Sequence, residues 1–303
     1  MIPMKAFVIL NPQAGTAPGM EGGEWINKWK EQFLVCGVEA DIQAVPRNLM
    51  GPAIKAALDQ KVDAVVAGGG DGTVNAVAAH LTGAGVPLGV LPLGTFNHFA
   101  KDLGIPGDFE AAVKIIARGF TREVDVGEVN GHIFLNNSSI GAYPQAVKER
   151  DRGRELRGRR KSVAMAIAVL RVFRLRPLLL VQVTRGALTY CRRTPFVFVG
   201  NNEYGNLLKD SKRQRLDGGK LCLFTAKSTG LCCLLRLIWA SMLNRLADSR
   251  DFEYQSVSDV TIDPHKRTLS VALDGEVFKL MGPLHYRVRP AALRVLVPEE
   301  RSL

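Results

Sequence analysis

The hydrophobic residues of the first 125 positions alternate between short continuous runs and helical spacing. Strand-length apolar runs and one alternating segment predict strands at Lys5–Leu10, Val38–Val45, Ala64–Ala67 and Pro87–Leu91. Helical spacing of apolar residues predicts helices at Glu24–Cys36, Pro52–Leu58, Val74–Leu81 and Phe109–Ala117. This alternation predicts an α/β domain with a parallel sheet covered on both faces.

The pattern changes near Val124–Asn130, where we place the domain boundary. The following segments are short, rich in β-formers and separated by turn residues: His132–Asn136, Leu178–Val183, Phe196–Val199, Lys220–Thr225, Val260–Ile262, Leu269–Leu273 and Leu284–Val288. They predict an antiparallel β domain, a sandwich or an open barrel. Two helical segments near Ser162–Phe173 and Leu231–Leu246 interrupt it. Both are mostly apolar with cationic residues near their ends, which fits a core helix and a membrane contact equally.

Charge and cysteine content narrow the class of protein. The 303 residues carry 40 Lys and Arg against 29 Asp and Glu, a net charge of +11, and residues 148–161 hold much of the excess. The positive charge favours an anionic partner such as a membrane surface. The alternative is that the basic run is simply a solvated loop. We expect no nucleic-acid partner, because no recognition motif accompanies the basic run. Five cysteines without metal-ligand spacing predict reduced thiols in a cytoplasmic protein. No signal peptide or membrane-spanning run is predicted.

A glycine run at the end of a buried strand is the most informative segment. In residues 63–75, the apolar strand passes into Gly68, Gly69 and Gly70, and a helix follows at once. Glycines let the backbone approach a ligand closely, and amides at a helix start bind anions. Because ligands bind at the carboxyl ends of strands in open α/β sheets, this loop predicts a phosphate site. Neither the Walker A nor the dinucleotide-binding pattern is present.

Asp71 lies inside this expected anion site, where a carboxylate repels phosphate. Holding Mg²⁺ or accepting a proton would explain it; capping the following helix is the alternative. Two further loops follow buried strands, residues 11–15 and residues 91–98. We expect all three loops to meet in one site.

These motifs together resemble the diacylglycerol kinase catalytic family, which includes sphingosine and ceramide kinases and bacterial lipid kinases. The matching segments, in the order of the family, are Asn11–Gly15, Gly69–Thr73, Leu91–Asn97, Asp125–Gly127 with Asn136–Gly141, Leu216–Gly218 and Asp274–Glu276. The resemblance implies an ATP-binding α/β domain over residues 1–127, with residues 291–303 returning to it. It also implies a β-sandwich over residues 128–290 that takes the lipid, and an active site in the cleft between the domains.

The resemblance also implies roles for individual residues, with ATP and Mg²⁺ as cofactors. Glu276 would be the general base, beside Asp274, and Asp71 would act on the metal or the nucleophile. Asp217 resembles a structural metal position. ATP would be bound by Asn11, Gly15, Gly69, Gly70, Asp71, Gly72, Thr73, Asn75, Gly94, Thr95 and Asn97. From the residues alone, Asp274–Glu276 also fits a plain Asp-Gly hairpin turn.

The sequence departs from the family pattern at two positions. His98 stands where many bacterial members carry Asp, which puts the metal arrangement in question, and Thr16 stands where a basic residue is frequent. Two alternatives therefore stay open. One is an NAD kinase, whose family shares the Gly-Gly-Asp-Gly-Thr loop. The other is an inactive nucleotide or lipid sensor. The identity of the lipid and the oligomeric state do not follow from the sequence.

Overall fold

The polypeptide divides into two units in this computed structural model, which describes residues 3–12, 24–141, 144, 179–203, 213, 215–226 and 252–299. The first unit comprises Met1–Val126 and Pro290–Leu303, and the second comprises Gly127–Arg289. The basic run 148–161 and the predicted helices near 162–173 and 231–246 lie outside the described residues.

Strands and helices alternate in the first unit. Its strands are β1 (Met4–Leu10), β2 (Val38–Ala44), β3 (Ala64–Gly69) and β4 (Leu88–Pro92). Its helices are α1 (Glu24–Val35), α2 (Met50–Asp59), α3 (Asp71–Leu81), α4 (His98–Asp102) and α5 (Phe109–Arg118), with a short 3-10 turn at Arg47–Leu49. Two further strands, β5 (Thr121–Val129) and β16 (Leu284–Leu296), contribute residues to both units.

The sheet of the first unit is parallel in the order β2-β1-β3-β4-β16. Every residue of β3 and β4 is buried, as a parallel strand covered on both faces requires. Helix α3 packs on β3 and α5 packs on β4. Helix α5 begins where the Asp108 side chain accepts the Ala111 amide at 2.8 Å, and it ends at Gly119, whose φ is 71°.

The second unit consists of two antiparallel sheets. Its own strands are β6 (His132–Phe134), β7 (Asn137–Gly141), β8 (Leu179–Arg185), β9 (Leu188–Thr194), β10 (Phe196–Asn201), β11 (Leu221–Ala226), β12 (Phe252–Val257), β13 (Asp259–Asp263), β14 (Thr268–Leu273) and β15 (Glu276–Met281). One sheet has the order β12-β11-β10-β7-β14-β15. The other pairs β13 with β16 and β8, β8 with β9, and β5 with β6.

One hydrophobic core fills the space between these two sheets. Val181 and Ile262 from one sheet pack in the same cluster as Val199 and Val271 from the other, and all four are fully or almost fully buried. Side chains that alternate along a strand point to opposite faces, so each sheet lends one face to this core. The α/β domain and the antiparallel sandwich predicted from the sequence are both confirmed.

Several elements were absent from the sequence prediction. The strands β5, β7, β9, β12 and β15 and the helix α4 lie where no strand or helix was expected. Strand β9 contains Arg192 and Arg193 and exposes most of its residues, so its hydrophobic signal is weak. Helix α4 has five residues, too few to show helical spacing. The predicted strand at His132–Asn136 ends at Phe134, because the amides of the next residues bind a side chain instead of a strand.

Candidate active site

Three loops of the first unit meet at the carboxyl edge of the parallel sheet. In the register of the sheet, Gly68 of β3 lies opposite Leu10 of β1 and Leu91 of β4, so the three strands end side by side. Beyond these ends, the Asn11 amide donates to the Gly68 carbonyl at 3.3 Å, and the Leu93 amide donates to the Gly69 carbonyl at 3.1 Å. The structure therefore brings together the loops that begin at Asn11, Gly70 and Leu93.

Two of these loops touch through glycine backbones. A Cβ atom built on Gly94 would lie 2.4 Å from the Gly70 Cα and 2.7 Å from the Asn97 Oδ1. No side chain fits between the loops, so their main-chain amides remain close to whatever binds there. Asn97, at φ 51°, fixes this arrangement. Its Oδ1 accepts the Gly94 amide at 3.0 Å, and its Nδ2 donates to the Pro92 and Gly94 carbonyls.

Asp71 is the first residue of α3, directly after the glycine run. The N-cap position is Gly70, which makes no side-chain cap, so Asp71 does not cap its own helix. Its Oδ1 instead accepts the Phe99 amide of α4 at 3.3 Å. The amides of Asp71 and Gly72 precede the first intrahelical hydrogen bond of α3, as at every helix start, and the helix dipole favours an anion there. A half-buried carboxylate thus lies next to an amide cradle suited to phosphate.

The other predicted ligand residues of the first unit hold the loops or face solvent. Thr73 and Asn75 are buried, with 5% and 6% of their surface exposed, and Asn11 Nδ2 donates to Thr73 Oγ1 at 3.3 Å. Thr95 is exposed. Gly15 lies outside the described residues. Asn11, Thr73 and Asn97 therefore hold the loops together through their side chains, whereas Thr95 faces solvent.

Replacing Gly94 with Ala is expected to disrupt the contact between the two glycine loops. The added methyl group would overlap the Gly70 Cα, and such overpacking costs about 1–3 kcal/mol. We expect the affinity for MgATP to fall at least about tenfold, in line with that cost. Isothermal titration with MgATP measures it.

Gly107→Ala is the matched control, because no atom lies within 4 Å of a Cβ at Gly107 and its φ is not positive. Equal MgATP affinity in both variants would show that the Gly70–Gly94 contact does not form the nucleotide site.

In the second unit, a two-residue turn joins β14 to β15. Asp274 and Gly275 have φ values of 47° and 87°, and Leu273 pairs with Glu276 across the turn. Positive φ at both central residues defines the type I′ hairpin that Asp-Gly favours. The turn places half-buried Glu276 at the first position of β15. The plain hairpin geometry is thus present, with a carboxylate at its end.

The Asp274 carboxylate binds three consecutive backbone amides. Its Oδ2 accepts the Leu135 amide at 2.7 Å, and its Oδ1 accepts those of Asn136 and Asn137 at 2.8 and 2.9 Å. Burial raises the pKa of Asp274 to about 6, against the lowering effect of these three amides and of the Arg213 guanidinium. The side chain joins the Glu276 turn to the segment between β6 and β7. Sequence reasoning missed Arg213, because nothing in its neighbourhood along the chain marks it.

Asp274→Asn is expected to destabilise the protein. The Asn amide group would face the Leu135 amide, donor against donor, and one unsatisfied buried donor costs about 1–3 kcal/mol. The pKa of Asp274 is about 6 in the folded state and near 3.8 in the unfolded state, so its protonation stabilises the folded wild type. This stabilisation is fully present below pH 3.8 and is lost as the pH rises through 6. The difference in free energy of unfolding between the wild type and Asp274→Asn therefore becomes smaller as the pH rises. Urea denaturation between pH 4 and 7 measures it.

The matched control for this substitution is Asp263→Asn, which alters a half-buried carboxylate that accepts one backbone amide, from His265 at 2.8 Å, and lies 3.5 Å from the His265 ring. A difference that is absent at pH 4, or that grows with pH, would contradict the anchoring role of Asp274.

The expected metal ligands differ in how well they fit a cation. Mg²⁺ takes one or two carboxylates and fills its remaining positions with phosphate oxygens and water. Asp71, beside the amide cradle, fits that habit. Asp217 is paired with Arg215 at 3.0 Å, so a cation there would compete with a guanidinium. Within the described part of the chain, no three His, Cys, Asp or Glu side chains cluster as a metal site.

His98, the departure noted in the sequence, is exposed at the start of α4. Its ring stacks on Phe96, with centroids 5.7 Å apart and planes 7° from parallel. The Phe96 ring, from the loop that contains Gly94 and Thr95, thus packs against the first residue of α4.

Among the residues that the structure describes, no helix has the length and apolar character needed to span a bilayer.

Comparisons with known proteins agree with the resemblance drawn from the sequence motifs. Residues 5–129 match the family model of the diacylglycerol kinase catalytic domain. A probable YegS-like lipid kinase of Klebsiella pneumoniae is 42% identical over 143 residues, which are 46% of this chain and 46% of that protein. The diacylglycerol kinase of Bacillus subtilis is 26% identical over 305 residues, with 98% of each chain covered. The aligned stretch thus spans about half the length of several relatives and almost all of another.

A solved structure shows the shared fold. The crystal structure of a diacylglycerol kinase from Bacillus anthracis matches with a TM-score of 0.66 at 22% identity, over 97% of this chain and 96% of that chain.

Proposed function

We propose that this chain, whose residues 5–129 match the diacylglycerol kinase catalytic domain, is an ATP-dependent kinase that phosphorylates a lipid hydroxyl group. One observation carries the proposal. Three strand ends lie side by side, the Gly94 backbone lies so close to Gly70 that no side chain fits at Gly94, and a carboxylate, Asp71, follows Gly70. Amides for phosphate and a carboxylate for Mg²⁺ are the parts that phosphoryl transfer needs.

In the proposed enzyme, the main chain of Gly69–Thr73 and the loop around Gly94 bind the ATP phosphates. Asp71 would hold Mg²⁺, which when bound offsets the negative charge of the phosphates. The Asn97 hydrogen bonds keep the Gly94 loop in place before ATP arrives, so little reorganisation is needed on binding. Thr95, exposed in that loop, is free to contact the nucleotide.

In the proposed reaction, a bond forms between the lipid oxygen and the γ-phosphorus, and the bond from that phosphorus to the β–γ bridging oxygen breaks. Glu276 accepts the proton of the lipid hydroxyl, and ADP leaves with the bridging oxygen. We propose a positioning role for Asp274, since its two oxygens already accept three amides. Such transfer depends mainly on positioning and charge neutralisation, with the base needed only for the proton.

The distribution of charge supports a membrane lipid as the acceptor. Residues 127–289 carry 28 Lys and Arg against 14 Asp and Glu, whereas the rest of the chain carries 12 against 15. Basic residues near an anionic bilayer contribute about 1 kcal/mol each. We propose that the second unit meets the inner, anionic surface of the cell membrane, with the protein attached there peripherally.

The proposal is tested by giving the protein γ-labelled ATP, Mg²⁺ and mixed micelles of diacylglycerol, a sphingoid base, ceramide or phosphatidylglycerol, with NAD as a soluble acceptor. We expect label in one organic-extractable product, at a rate that falls with salt when the micelles are anionic. Label in NADP would replace the lipid kinase with an NAD kinase. ATP binding without any transfer would indicate a sensor, and His98→Asp would be the first variant to restore activity.

A further inference from the structure

Arg213 is a buried arginine that holds backbone and side-chain oxygens. It is 5% exposed. Its Nη1 donates to the carbonyls of Leu135 and Asn201, and its Nη2 donates to Asn136 Oδ1 at 3.0 Å. A buried guanidinium is costly unless its donors are satisfied, so a position like this one indicates a definite task.

The segment that Arg213 holds is the one that anchors Asp274. The Leu135 carbonyl accepts from Arg213 and from Asn201 Nδ2, while the Leu135 amide donates to Asp274. The Asn136 side chain binds Arg213, and the Asn136 amide binds Asp274. The Arg213 guanidinium and the Asp274 carboxylate therefore bind the same two residues, Leu135 and Asn136, from opposite sides of the peptide.

The connection continues into the turn that carries the proposed base. The Asp274 amide donates to the Asn137 carbonyl at 2.9 Å, so Asp274 is bound to this segment through both its backbone and its side chain. Glu276 follows two residues later, opposite Leu273. Any shift of residues 135–137 is thus transmitted to the Glu276 turn through four hydrogen bonds.

We propose that Arg213 is a positioning residue for the acceptor half of the reaction, which fixes the Glu276 turn through residues 135–137 and Asp274. The inference rests on the proposed function, because it takes Glu276 as the base. The positive charge of Arg213 also lowers the pKa of Asp274, as the three amides do, against the larger effect of burial.

The test compares Arg213→Met and Arg213→Lys with the wild type in lipid phosphorylation. Arg213→Met is expected to lower kcat at least about tenfold, as loss of correct placement does, with KM for ATP unchanged within about twofold. Arg213→Lys retains the charge but not the planar fork, so it should recover part of kcat. In the double variant with Asp274→Asn, the second substitution should add little, because both act on one connection.

Arg287→Met is the matched control, since Arg287 binds Glu128 in the same unit and lies outside the proposed network. It should keep kcat within about twofold. Urea denaturation shows that each variant is folded under assay conditions. Unchanged kcat in folded Arg213→Met, or effects of Arg213→Met and Asp274→Asn that multiply, would overturn the inference. Wild type without lipid phosphorylation would instead refute the proposed function.

Discussion

Asp71→Asn is expected to abolish most phosphoryl transfer, by about 100- to 1000-fold in kcat, which is the range for removing one charge-stabilising group from an active site. Asn has the same shape and can still accept the Phe99 amide through Oδ1, so the α3–α4 connection survives. What disappears is the negative charge that, in the proposed enzyme, would hold Mg²⁺ beside the phosphates. The measurement is the initial rate of lipid phosphorylation at saturating ATP and Mg²⁺.

The affinity for metal-free ATP distinguishes a metal-binding role of Asp71 from a structural one. Without Mg²⁺, the Asp71 carboxylate repels ATP, so the Asn variant should bind metal-free ATP at least as tightly as the wild type. Asp63→Asn is the matched control, because Asp63 also accepts a backbone amide in the first unit, that of Lys5 at 2.7 Å. It should keep full activity. An Asp71→Asn variant with half the wild-type rate would remove Asp71 from the metal site.

Glu276→Gln is expected to lower kcat about 100-fold, because loss of a general base costs about 10²- to 10⁴-fold and phosphoryl transfer lies at the low end. Gln fits the first position of β15 and leaves the Asp274–Gly275 turn intact. We expect the affinity for MgATP to stay unchanged, since the nucleotide loops belong to the other unit. Rates of lipid phosphorylation across pH 5 to 9 measure it. A variant that follows the wild-type pH profile at full rate would contradict the assignment.

Much of the nucleotide half could be predicted from sequence because its signals are local. The apolar run at Ala64–Ala67, the glycines after it and the helix to Leu81 occupy one continuous stretch. Strand ends of a parallel sheet share one edge, so the meeting of this loop with Asn11 and Gly94 followed from the βα pattern alone. The internal use of the Asn97 and Thr73 side chains needed coordinates, as did the helix α4, whose Phe99 amide binds Asp71.

The acceptor half was harder to predict because its contacts join distant parts of the chain. Asp274 binds amides 137 to 139 residues away, and Arg213 binds Asn136 from 77 residues away. Neither partner of such a pair marks the other in the sequence. The Asp-Gly pair predicted the turn, but only the fold shows that its carboxylate is an anchor. The strand β9 escaped notice because most of its residues are exposed and two of them are arginines.

We propose that the glycine loops bind the ATP whose γ-phosphoryl group is transferred to a lipid hydroxyl. The most direct test follows γ-labelled ATP in a single reaction and measures label in extracted lipid and in inorganic phosphate, for the wild type and for Glu276→Gln. We predict that lipid carries most of the label with the wild type. With Glu276→Gln the lipid label should fall about 100-fold at unchanged MgATP affinity. Label found only in inorganic phosphate with the wild type, at the same rate with and without lipid, would contradict the claim.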